Sequence, residues 1–288
     1  DRMDPEGAVW DGVKSIEGVL DRLSEAEAKM TDADTPLSGW SLDPIYMDNQ
    51  RVSRQDLDKV STTRPIGVLH ASGHILNVNS KALEQAGLLK PGVNHPGIPL
   101  GDDGMPTGEL YGPDAMTPVA GFVGYDRAMT DCDERGLLDY AKLCVRAGVT
   151  TSTDLAARLT DESVSMMLNV TARDRFPLRV VPLRIFFGMS AEECVEYTKE
   201  LKEQSTDLLR LGRIKAVADG SIQGFSARMR WPGYHNGAPN GLWYTAPDQM
   251  SELYNRALAA GIQVHTHTNG DQATQMALDV FEPALKAN

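Results

Sequence analysis

The sequence predicts an α/β protein: about half of a (β/α)8, TIM-like barrel, preceded by an α+β insertion region. Three observations predict it. Four apolar, β-branched runs stand at 147–156, 177–187, 212–221 and 261–270, each followed by turn residues. Helical patterns separate them at 161–174, 190–205 and 246–261. Such alternation, with near-continuous apolar strands, means a parallel sheet covered by helices. No GxGxxG follows the first strand, which favours a barrel over a dinucleotide-binding sheet.

The elements follow in order. An amphipathic pattern over 9–30 predicts a first helix, and a polar, turn-rich stretch follows it. "RPIGVLH" (64–70) reads as a strand, then "SKALEQAG" (80–87) as a helix with Ser80 as N-cap and Gly87 as its stop. Gly and Pro crowd 94–112, which predicts a hairpin or an ordered loop. We take 1–130 as the insertion region and 131–288 as the barrel portion. In the latter, Ser190 and Glu193 form a capping box, and Gly148, Gly212 and Gly261 end helices before strands. Cys144, in "AKLCVRAG", falls on the apolar side of a helix.

Composition narrows the function. A net charge of −12 argues against a nucleic-acid surface, which needs clustered Lys and Arg. Cys132, Cys144 and Cys194 form no CxxC pair, so a reducing, cytoplasmic compartment is expected. No run approaches the roughly 20 apolar residues of a membrane span. Neither end looks native: the chain starts without Met and stops in or just after a helix, as if cut from a larger protein.

Side chains at the C-terminal ends of barrel strands share one site. Here they are Thr153, Asp154, Lys215, Asp219, Ser221, His265 and His267. Lys215 lies inside "RIKAVADG", where an interior cation is costly without a partner. Carboxylation by CO2, giving a bridge between two divalent metals, would explain it; so would an outward-snorkelling amine or pairing with Asp219. His265 and His267 point to one side of their strand, as metal ligands or as hydrogen-bonded polar residues. "NGD" after them reads as a turn, with Gly270 at positive φ and Asp271 capping the next helix.

Five ordered motifs carry a family resemblance. They are "PIGVLHASGHILNVNSKALEQAGL" (65–88), "DDGMPTGELYGPDAM" (102–116), "AGVTTSTD" (147–154), "IKAVADGSI" (214–222) and "VHTHTNGDQAT" (264–274). Together they resemble the amidohydrolase 3 family, metal-dependent hydrolases of the amidohydrolase superfamily that include N-substituted formamide deformylases. The resemblance implies barrel strands 2–5, with a long insertion after strand 1. It makes Lys215 the carboxylated strand-4 lysine and His267 the strand-5 metal ligand, with His265 and Asp271 in supporting positions. His74 matches a histidine near the substrate pocket. Apart from the resemblance, connections as long as 219–246 shape barrel pockets, which makes Asp219, Arg228, Trp231 and His235 candidate substrate contacts; the alternative is an ordered loop that packs over the barrel.

Two departures stand out. Gly112 and Pro113 replace an acidic position, and Thr268 and Asn269 replace small apolar ones. The family's strand-1 H-x-H, strand-6 histidine and strand-8 aspartate (the usual general base) have no counterpart, so the isolated chain is expected to be inactive. The parent is expected to hydrolyse an amide, formamide or related C–N bond of a small-molecule substrate with a metal-activated water. Zinc, as one or two ions, is the expected metal. A non-catalytic ligand-binding relative and a mononuclear deaminase remain the rivals. No membrane or nucleic-acid partner is expected, and assembly into a homo-oligomer is left open.

Overall fold

A computed structural model describes residues 13–48, 50–125 and 133–288. Cys132 and the start of the expected helix 9–30 lie outside them. The chain divides into two compact units. One comprises 1–128, 220–227 and 234–242; the other comprises 129–219, 228–233 and 243–288. The connection 219–246, which sequence assigns to the barrel portion, is thus shared between the units.

The first unit is built on a four-stranded sheet in the order β1 (Leu37–Leu42), β2 (Ile66–His70), β3 (Ile75–Val78), β4 (Glu109–Tyr111). β1 pairs parallel to β2, and the remaining pairs are antiparallel. Both faces are covered. Leu37, Leu42, Ile66 and Val68 pack with helices α1 (Ile16–Glu27) and α2 (Arg54–Asp58). Leu69, Leu76 and Val78 pack with α3 (Ser80–Gln85) and α4 (Gly112–Ala120). That is why β2 and β3 are buried at every position. The N-cap of α3 is Asn79, not Ser80: the Asn79 side-chain oxygen Oδ1, which accepts from Ala82 N, also accepts from Ile66 N in β2 and so is held at the helix entrance.

The second unit is a four-stranded, all-parallel sheet in sequence order: β5 (Thr151–Ala157), β6 (Arg179–Ile185), β7 (Arg213–Val217), β8 (Gln263–His267). Helices alternate with the strands: α5 (Glu134–Arg146), α6 (Asp161–Thr171), α7 (Ala191–Glu203), α8 (Pro247–Ala259) and α9 (Asp271–Ala287). The Ser190–Glu193 capping box opens α7. Gly148 and Gly261 take positive φ at helix ends, as expected; Gly212 also has positive φ, but it stands at the entrance to β7, after a loop that separates it from the end of α7 at Glu203. Ile214 and Ala216 pack with Cys194, Met250, Leu253 and Ala257, and Cys144 joins Leu137, Val164 and Leu178. Each large apolar side chain so buried contributes about 1.5–3 kcal/mol. The four strands form an open sheet among the described residues. No described helix is long and apolar enough to cross a membrane.

Candidate functional site

β7 and β8 place the lysine and the two histidines. Ile214 and Ala216 face the helices, so the strand's period of two sends Lys215 to the other face. Lys215 pairs in register with His265, and Val217 with His267. Registered neighbours share a face, which sets Lys215, His265 and His267 together, away from the helices.

Lys215 is only 7% exposed. Burial pushes its ammonium below the ordinary lysine range, and no acid among the described residues acts on it. His265 is exposed at the sheet edge. Partial burial, then the Lys215 and His267 charges, holds its imidazole below the usual histidine value. This face is therefore rich in nitrogen donors, and its lysine is disfavoured as a cation. A divalent metal fits such a set if Lys215 is neutral or carboxylated, since an ammonium would repel it. No three His, Cys, Asp or Glu side chains gather as a metal cluster among the described residues.

Asp219 does not pair with Lys215. It is fully buried, and its carboxylate accepts backbone N–H bonds from Arg228 (2.9 Å), Asn269 (2.9 Å) and Gly270 (2.8 Å). These three bonds commit most of the carboxylate's acceptor capacity to the backbone. Gly270 has φ −75°, not the expected positive value. Its reason is space: a Cβ there would lie 1.8 Å from the Arg228 carbonyl oxygen. Gly270 is also the N-cap of α9, and Asp271, its first residue, accepts from Arg230 N at 2.8 Å. The Arg228 guanidinium sits 4.9 Å over the Trp243 ring, a contact that sequence does not reveal.

The other candidates are dispersed. Trp231 is 94% exposed in the second unit. Thr153 and Asp154 are exposed on β5, where Asp154 accepts from Ala156 N. His74 and His235 belong to the first unit: His74 is half-buried in the β2–β3 turn, and His235 is exposed. Ser221 is buried there and accepts from Gly224 N. The first unit also holds a cluster that sequence reading missed. Arg51 donates to Glu109 (2.8 Å) and to the Tyr111 hydroxyl (2.7 Å), and lies 5.9 Å over the Phe225 ring. The partners are 58 residues or more from Arg51 in the chain, so no local pattern announces them.

Comparison with known proteins agrees with this architecture. The chain is 26% identical over 272 residues to the "Putative amidohydrolase YtcJ" of Bacillus subtilis (strain 168), covering 88% of this chain and 48% of that protein. It is 27% identical over 262 residues to the protein LONG AFTER FAR-RED 3 of Arabidopsis thaliana, covering 87% and 43% respectively. The exoenzymes regulatory protein AepA of Pectobacterium carotovorum subsp. carotovorum is 29% identical over 248 residues, covering 81% and 50%. The chain thus spans about half the length of the curated relatives it matches. Among solved structures, an uncharacterized metal-dependent hydrolase from Pyrococcus horikoshii OT3 superposes with a TM-score of 0.54 at 18% identity, covering 94% of this chain and 51% of that one. One from Pyrococcus furiosus gives 0.51 at 20% identity, covering 96% and 54%. These likenesses show the fold, mixed α/β with a parallel sheet. The profile of the amidohydrolase family matches residues 6–288, and the chain belongs to that family.

Proposed function

We propose that this chain supplies the central part of a metal-dependent hydrolase acting on an amide, formamide or related C–N bond. In this reading β5–β8 are strands 2–5 of a (β/α)8 barrel. The observation that carries it is Lys215: a buried amine with no compensating acid among the described residues, in register with one imidazole and on the same face as a second. Leaving such a group in the interior is costly unless its charge is removed or used. Family membership and the two metal-dependent hydrolases that share the fold support the same reading.

Lys215, carboxylated, and His267 would hold the metal, with His265 beside them. Carbamate and imidazole donors suit zinc, with Mn, Fe or Ni as alternatives. A bound divalent ion supplies water activation and carbonyl polarisation. Arg228, braced on Trp243, is positioned to offer a fixed cation to a polar substrate group. The role of His74 rests on the family resemblance alone, and those of Trp231 and His235 on their place in the long connection 219–246.

The test is metal content by mass spectrometry on the full-length protein purified without chelators, beside Lys215→Ala. About two metals per chain, falling in the variant, are expected for a bridged binuclear site. About one metal, unchanged in the variant, would indicate a mononuclear deaminase. No metal in either would leave a ligand-binding protein on a hydrolase scaffold.

A further inference from the structure

We infer that Asp219 is a positioning residue: its carboxylate clamps the backbone following His267 to the backbone carrying Arg228, and so fixes both side chains against β7. The metal arm of this inference rests on the hydrolase reading; the clamp itself does not.

Three features carry the inference. First, the carboxylate is fully buried and forms no ion pair among the described residues, so the three backbone N–H groups must offset its desolvation. Second, the bonds converge from two separate segments. Oδ2 takes Arg228 and Gly270, while Oδ1 takes Asn269, two residues beyond His267. Third, the junction is closed from its other sides. Ala218 N donates to the His267 carbonyl (3.0 Å), extending the β7–β8 ladder to the residue before Asp219. Gln272 N donates to the Arg228 carbonyl (3.2 Å), and the Arg230 guanidinium donates to Gln275 (2.8 Å).

An acceptor-only group is needed here. Three donors meet two oxygens, and an amide in the same place would turn an N–H towards one of them. Asp219→Asn therefore keeps the shape and breaks the clamp. Gly270→Ala attacks the same junction from the opposite side, through its 1.8 Å conflict with the Arg228 oxygen. Thr245→Val is the control. It removes a buried hydroxyl bond to the Val217 carbonyl (2.8 Å) at the end of β7, without touching either clamped segment.

The experiment compares these variants in the full-length protein by hydrogen exchange and by Zn2+ affinity in competition with a chelator. For Asp219→Asn, exchange over 226–232 and 264–274 should accelerate about tenfold, and Zn2+ affinity should fall about tenfold, the scale seen when groups supporting metal ligands are removed. Thr245→Val should lower Tm and move neither quantity. If Asp219→Asn does not fold, Gly270→Ala is expected to give the same pair of changes. Unchanged exchange in the clamped segments overturns the clamp; faster exchange with wild-type Zn2+ affinity overturns its positioning role. If the wild-type protein takes up none of Zn2+, Mn2+, Fe2+ or Ni2+, the hydrolase reading fails separately, and exchange alone decides the clamp.

Discussion

The two sheets treat buried polar groups in opposite ways. In the β1–β4 sheet they are spent on architecture. Asn79, fully buried, accepts from Ile66 and Ala82 N–H and donates to the Ser61 and Arg64 carbonyls. Beside it, His70 bonds to Asn77, whose amide donates to the Val52 carbonyl. Asn77 Oδ1 must then be the acceptor, which places the His70 proton on Nε2. In the β5–β8 sheet one face is packed like a core, while the other buries Lys215 without an acid among the described residues and exposes His265. A satisfied interior polar group reports how the chain is held together. An uncompensated one reports where the fold leaves capacity for something else.

Three substitutions would break or sharpen that contrast. Asn79→Ala should cost most, about 4 kcal/mol, because it strands two N–H groups and two carbonyls in a closed core; urea unfolding measures it, and a loss under about 1 kcal/mol would contradict an architectural role. His70 gives the next effect, through pH. Burial, then the Arg51 charge, lowers its pKa from 6.5 to about 4. As pH falls below 6.5 the unfolded chain takes up the proton first, so stability is complete above 6.5 and is lost down to about 4. The loss is about 3 kcal/mol at 1.36 kcal/mol per unit. His70→Gln should flatten that part of the stability–pH profile. Smallest, and opposite in sign, is Lys215→Met in chelator-treated protein. Replacing an uncompensated amine by an apolar side chain of similar length should raise stability by about 1 kcal/mol. A clear loss there would mean that Lys215 is already satisfied, and the two sheets would no longer differ.

What was legible in the sequence depended on the range of the interactions. The capping box at Ser190 and Glu193 and the helix stops at Gly148 and Gly261 act within a turn, and each is found where the pattern puts it; Gly212, read as a third stop, instead opens β7 after a loop, because α7 already ends at Glu203. The four apolar runs that predicted a parallel sheet form β5–β8 in that order. β1 and β3 were not anticipated. "LSGWSL" shows little apolar alternation, and "ILNV" is too short to stand out; both are strands because neighbours pair with them. Gly270 was read for a positive φ, although its requirement is room for a carbonyl 42 positions earlier in the chain.

By itself, the sequence determined the α/β class, the helices and strands with strong local signals, and, through its ordered motifs, membership of the amidohydrolase family. Tertiary structure decided the register that sets Lys215 against His265, and the commitment of the Asp219 carboxylate to amides up to 51 residues away. The physical reason is the same in both cases. Period and capping are written in neighbouring residues, whereas a strand's register and a buried acceptor's partners are chosen only when distant segments are packed together.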